Sequence, residues 1–333
     1  MVRVLLCVAC LLCLASSVAA EVALSPFYTR NMNPFVSIYG LPAAERAKLV
    51  NEGQLESRLV IDVANDFTYS SNANELVDLD GETYRGTFVF RWGVDESLEL
   101  GLDVPLQRHS GGTLDGFIED WHSTFSLYDG GRDEKPKDQL RYEYQSVDDQ
   151  SSTVDSTGFA LGDVLVSCAW QTAYDADENG EYSSSIRSSV KLPSGESGDL
   201  NGSGSLDASI RFNSGWIGNR NKDNTLALFT SIGALYLGRG DVIPSRQRHW
   251  VGFGSVATAW QVFERVAVKM QLDGHTPFYN SSLRQLGDAS VQLVIGGVYT
   301  PLDDVSIDFG VSEDVVIDTA SDVVFHLSVA KLF

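Results

Sequence analysis

Cysteine is nearly absent from the body of this chain. Of four Cys, three (Cys7, Cys10 and Cys13) fall in the first 13 positions, and only Cys168 lies beyond them. That leaves no internal disulfide and no cysteine-based metal centre in the remainder. Basic residues are also few. Lys plus Arg is 24 against 45 Asp plus Glu, for a formal charge of −21. A sequence-independent nucleic-acid binder needs a basic face, so no nucleic-acid partner is expected. Long apolar runs are missing: nowhere beyond the opening segment do 18 apolar residues follow one another, which excludes a helical inner-membrane protein. Phosphate loops and Gly-rich dinucleotide fingerprints are missing as well, although 30 Gly are present. No catalytic constellation, cofactor or metal is expected.

The opening segment reads as an address. Met1-Val2-Arg3 is a short positive region, and Val4 to Ala15 is an apolar run of 12 residues. That run suits a secretory signal and is too short to span a bilayer as a helix. Ser16-Ser17-Val18-Ala19-Ala20 supplies small residues for cleavage after Ala20. The expected organisation is a signal peptide over 1–20, an N-terminal periplasmic or lumen segment over 21–54, and a barrel over 55–333.

Alternation dominates from residue 55 onward. Leu55, Leu59, Ile61 and Val63 face one way, and Glu56, Arg58 and Asp62 the other. Phe88, Phe90 and Trp92 alternate with Thr87 and Arg91, and Leu98, Leu100 and Leu102 alternate with Glu99 and Asp103. The same dyad recurs through Ile210-Arg211-Phe212, Val268-Lys269-Met270 and Ile307-Asp308-Phe309. A period of two over 10–15 residues is the signature of a transmembrane β-barrel, lipid outside and polar lumen inside. A soluble β-sandwich shares the period. Against it stand the length of the segments, charges of both signs on the inward face, and a last strand ending on an aromatic, Phe333.

Twelve candidate strands result: 55–69, 82–94, 97–109, 159–174, 182–193, 203–213, 224–237, 248–263, 265–277, 286–300, 302–312 and 320–333. An even number suits a single-chain bacterial barrel. Parity makes residues 110–158 one long extracellular excursion, with 140–147 a hairpin arm inside it. Within the excursion Phe117, Trp121 and Phe125 share one face of a predicted helix, and the segment is placed as a lid on the mouth. Before the first strand, the chain is expected to run extended through Asn33-Pro34-Phe35. A short helix then covers 43–51, started by Pro42 and closed by Gly53. Asp78-Leu79-Asp80-Gly81, Asp175 to Gly180 and Asp199-Leu200-Asn201-Gly202 read as polar loops. The second resembles half a calcium loop, but its twelfth position is Ile186, where a Glu is needed.

The inward charges are the most informative functional feature. Candidate lumen residues are Arg58, Asp62, Arg85, Arg91, Glu99, Asp103, Asp163, Arg187, Lys191, Asp207, Arg211, Lys269, Asp273 and Asp308. Either they line a narrow aqueous pore, or they pair and plug the lumen. The leading expectation is a passive channel or small-solute transporter of a Gram-negative outer membrane. The alternatives are a non-transporting structural or envelope-homeostasis barrel and an outer-membrane lipid enzyme. The third would start from His109. Outer-membrane phospholipases place a Ser two positions after the His, whereas Ser110 is adjacent and points to the opposite face of a strand. Outer-membrane lipids and lipopolysaccharide are the expected partners, with the assembly machinery reading the strand that ends in Phe333.

A resemblance is carried by Arg30-Asn31-Met32-Asn33-Pro34-Phe35 and Ile38-Tyr39-Gly40-Leu41-Pro42, together with Phe117, Trp121-His122, Phe125 and Gly131-Arg132. These stretches resemble domain-of-unknown-function family 3187, and Lys191-Leu192-Pro193-Ser194-Gly195 is similar to an element common in proteobacterial outer-membrane barrels. The resemblance implies an outer-membrane barrel-like protein and transfers no functional residue.

Overall fold

The computed structural model describes residues 22–112, 116, 138–147, 151–155, 158–218, 224–315 and 319–333. The signal segment and the candidate loop helix of Phe117, Trp121 and Phe125 lie outside the described residues. In chain order the elements are α1 (Pro34–Ser37), β1 (Leu55–Ser71), β2 (Glu75–Gly93), β3 (Leu98–Ser110), β4 (Arg141–Ser146), β5 (Ser151–Val154), β6 (Ala160–Leu161), β7 (Leu165–Asp177), β8 (Gly180–Lys191), β9 (Asp207–Gly218), β10 (Leu226–Leu237), β11 (Trp250–Phe263), β12 (Val266–His275), α2 (Arg284–Gly287), β13 (Ser290–Leu302), β14 (Val305–Asp314) and β15 (Val323–Leu332).

Twelve of these strands close a ring. β1 pairs with both β2 and β15, β2 with β3, β3 with β7, and β7 through β15 pair in succession, all antiparallel. Closure leaves no open edge in the wall, which is what a bilayer demands of a sheet. One end carries short connections, such as 94–97, 178–179, 264–265 and 303–304, and the other carries the long loops. Outer-membrane barrels keep their short turns in the periplasm.

The period of two sets the facing. Ile61, Phe88, Ile210, Ile232, Met270, Ile295 and Phe309 are exposed on the outer wall. Trp92, Trp170, Trp216, Trp260 and Tyr299 are also exposed, at one level near the short turns. Toward the long loops Tyr236 and Trp250 stand opposite each other, their ring centroids 5.1 Å apart. An apolar belt between aromatic girdles matches the thickness profile of a bilayer. The chain is a twelve-stranded antiparallel barrel of the bacterial outer membrane.

Several local expectations are corrected. Asp78-Leu79-Asp80-Gly81 is no loop. It lies within β2, because β1 and β2 continue past the wall as a ribbon with Thr68 opposite Leu79. The arm expected at 140–147 is β4, paired with that ribbon and with β5. The candidate strand at 159–174 begins only at Leu165, apart from the short β6. No helix covers 43–51, and the extended reading of Asn33-Pro34-Phe35 gives way to α1. There Asn33 caps the turn by accepting from Phe35 N at 3.0 Å, and Pro34 supplies the first helical φ. The reason lies in where this segment sits.

Candidate functional site

Residues 22–54 thread the barrel as a hairpin. Val22 and Leu24 pack at the short-turn end against Ile217, Phe229, Ala259 and Val298. The chain then climbs. Ala23 N donates to Thr300 Oγ1, Phe27 N to Gln271 Oε1 at 2.8 Å, and Thr29 Oγ1 to Asp273 at 2.7 Å. Asn31 reaches His275 at 2.8 Å and the Thr319 carbonyl at 2.9 Å, near the long loops.

At the top, α1 turns the chain within an apolar cap. Phe35, Ile38 and Tyr39 pack with Val77, Leu79, Tyr142, Tyr144, Phe278, Tyr279 and Leu286, gathered from β2, β4 and the loop carrying α2. Phe35 is wholly buried, and a buried Phe side chain stabilises its site by roughly 1.5–3 kcal/mol. The descent then follows the opposite wall. Gly40 N donates to Asp207 at 2.9 Å, Val50 N to Glu99 at 2.8 Å, and Leu49 N to Gln171 at 2.9 Å. Gly40 suits this close approach, since a Cβ would stand 3.0 Å from Lys191 Cβ. Side chains of the wall thus supply the partners that a helix over 43–51 would have found within itself, and the segment stays irregular.

The fourteen candidate residues lie in the interior, and most meet one another or the hairpin. Lys191 contacts Asp163 at 2.5 Å and Asp207 at 3.2 Å and donates to the Ile38 carbonyl. Lys269 pairs with Asp308 at 2.5 Å, with Arg58 at 3.8 Å from the same carboxylate, and lies 4.0 Å from the centre of the Phe27 ring. Asp62 contacts His326 at 2.7 Å, Asp273 holds Thr29, and Arg85 reaches the Ser37 carbonyl and Gln107.

The remaining five converge at mid-lumen on a residue the sequence reading left unassigned. Glu45 receives Arg91 through two contacts, Nε at 2.8 Å and Nη2 at 3.1 Å, and accepts from Arg211 as well. Arg187 stands 3.6 Å away. Arg91 also holds Asp103 at 2.7 Å, and Arg187 holds Glu99 at 2.6 Å. Tyr28 bonds Asp103 and accepts from Arg91 at 3.0 Å. Burial alone would raise the Glu45 carboxyl. Arg187, Arg91 and Arg211 outweigh it and hold the group well below the usual carboxylate range. Beside this cluster lies a cavity of about 20 Å³, room for one water. A second cavity of about 180 Å³, lined by Leu24, Lys48, Gln54, Glu181 and Phe229, sits at the short-turn end.

The sequence signal that could have found Glu45 was available but faint. Arg91, Arg187 and Arg211 outnumber Glu99 and Asp103 on nearby inward positions, which leaves a position for one more anion. His109 and Ser110 do not come together as a catalytic pair. His109 meets Thr83 at 2.9 Å and packs edge-on to Tyr142, while Ser110 accepts from Gly112 N.

The barrel is similar to solved structures. An outer membrane channel from Pseudomonas putida F1 superposes with a TM-score of 0.52 at 9% identity, covering 86% of this chain and 98% of that one. The NanC porin gives a TM-score of 0.40 at 8% identity, over 83% and 98%. No curated protein matches the sequence. A family profile matches residues 2–333, and the chain belongs to the family described as protein of unknown function (DUF3187).

Proposed function

We propose that the protein is an outer-membrane channel for small solutes, closed at rest by its own residues 22–54. The observation that carries this reading is how the hairpin is held. Below the apolar cap it is bound largely by hydrogen bonds and ion pairs to a charged wall. Those groups can exchange partners with water and solutes. A permanently dry barrel would gain as much or more from apolar packing, because buried ion pairs often fail to recover their desolvation cost. The channel likeness named above supports the same reading.

The experiment is single-channel recording in a planar bilayer. The full mature chain is expected to conduct rarely. Once residues 22–50 are removed and the protein is shown to retain heat-modifiable migration, it is expected to give frequent, larger steps. A folded, plug-deleted barrel without current would favour a structural barrel instead.

A further inference from the structure

We propose that the Arg91–Arg187–Arg211 cluster is an exchangeable binding site for small organic carboxylates, and that Glu45 is its resident occupant. This deepens the channel reading and rests on it for any role in transport. Three observations carry it.

The first is charge. Three guanidiniums, with Arg30 a fourth at 3.9 Å from Asp103, face two wall carboxylates, Glu99 and Asp103, so positive charge is in excess there. Glu45 supplies an anion to it, and a small carboxylate would do the same.

The second is geometry. Arg91 offers Nε and Nη2 to the two Glu45 oxygens as a fork, the arrangement in which guanidinium recognises the planar carboxylate. Arg211 reaches one of the same oxygens and Arg187 the other. The wall contacts to Glu45 fall on its carboxylate, and Arg211 Nη1 donates besides to the carbonyl of Ala43, two residues before it.

The third is spare capacity. Both Arg187 and Arg211 are almost fully buried, yet the Nε–H of each has no acceptor among the described residues. Buried donors without partners are costly and uncommon in a finished ion-pair network. The cavity beside Glu45 adjoins Arg91, Arg187 and Glu99. The site therefore offers more donors than its own occupant uses, as a site for exchanged ligands would.

The test is chemical rescue in the full mature chain. Glu45→Ala removes the carboxylate and leaves room for a small one, and the barrel's unfolding temperature is followed by heat-modifiable migration. The substitution should lower that temperature. Sodium acetate should restore it, while acetamide and sodium chloride at matched ionic strength should not. Glu45→Ala combined with Arg211→Gln should lose the restoration. Glu45→Ser repeats the test if the alanine variant does not refold. Acetate performing no better than acetamide or chloride would overturn the site, whatever the current recordings show. Restoration by acetate in a barrel that never conducts, even with the plug removed, would establish the site and reject the channel.

Discussion

Glu45 ties the descending arm of the hairpin to three wall arginines, and under the channel reading it holds the plug in place. Its carboxyl sits well below the usual range, so its contribution is present above the ordinary value of 4.5 and is lost as pH falls toward the folded value. Bilayer currents of the native protein are therefore expected to rise under acid, below pH 4.5. Glu45→Gln should conduct more at neutral pH and lose the acid response. Breaking one side of a buried ion-pair cluster costs roughly 3–5 kcal/mol, enough to change plug occupancy by orders of magnitude. A native protein whose current is flat from pH 7 to 3 would count against this. On the outer wall the decisive quantity is depth. Ile232 is 69% exposed midway along β10, whereas Leu100 stands opposite Trp92 in the aromatic girdle. Ile232→Arg is expected to cost about 2–4 kcal/mol, and Leu100→Arg about 0–1 kcal/mol, when unfolding from lipid is titrated with denaturant.

Among the elements, the join between hairpin and wall is a close one. Gly53 N donates to the Gly93 carbonyl at 2.9 Å, and Gly93 N donates to the Gln54 carbonyl at 3.1 Å. A Cβ at Gly93 would lie 2.1 Å from the Asn51 carbonyl oxygen. Gly93→Ala should therefore force the hairpin's exit off the wall, at a cost of about 1–3 kcal/mol. The readout is faster proteolysis within residues 44–54 of otherwise folded protein. The cap of α1, β4 and the α2 loop makes the opposite case, because there the contacts are apolar. Phe35→Ala should cost about 3–5 kcal/mol of cap stability and raise the frequency of open events, while strand content by circular dichroism stays the same. An unchanged open frequency would mean that the cap does not close the mouth.

At the scale of the whole molecule, insertion is expected to depend on the strand that ends in Phe333. β15 alternates through Val329, and Phe333 exchanges two backbone hydrogen bonds with Leu55 at the ring closure. Deleting Phe333 is expected to slow assembly, read as unfolded monomer accumulating in the outer-membrane fraction. Normal migration would remove the case for recognition of this residue by the assembly machinery. Lys331, which breaks the apolar pattern of that strand, pairs at 3.5 Å with Asp304 of the turn between β13 and β14.

The sequence by itself determined the wall. In a strand the facing of a side chain follows from its own backbone, so Ile61 against Asp62 or Leu102 against Asp103 could be sorted without knowing their neighbours. The inward set of fourteen charges was legible for the same reason, as was the even strand count. The reach of β1 and β2 beyond the wall was not, because Asp78 and Asp80 carry turn composition, and their partners, Tyr69 and Phe67 of β1 on one side and Glu143 and Arg141 of β4 on the other, come alongside only in the folded ribbon. Least legible was the hairpin of residues 22–54. It has no period, and Glu45-Arg46-Ala47-Lys48 reads as a solvated helix face when taken alone. Only the closed barrel decides otherwise, since the acceptors and donors for its backbone, Gln171, Glu99, Asp207 and Gln271, sit on four different strands and share one space only after the ring has closed.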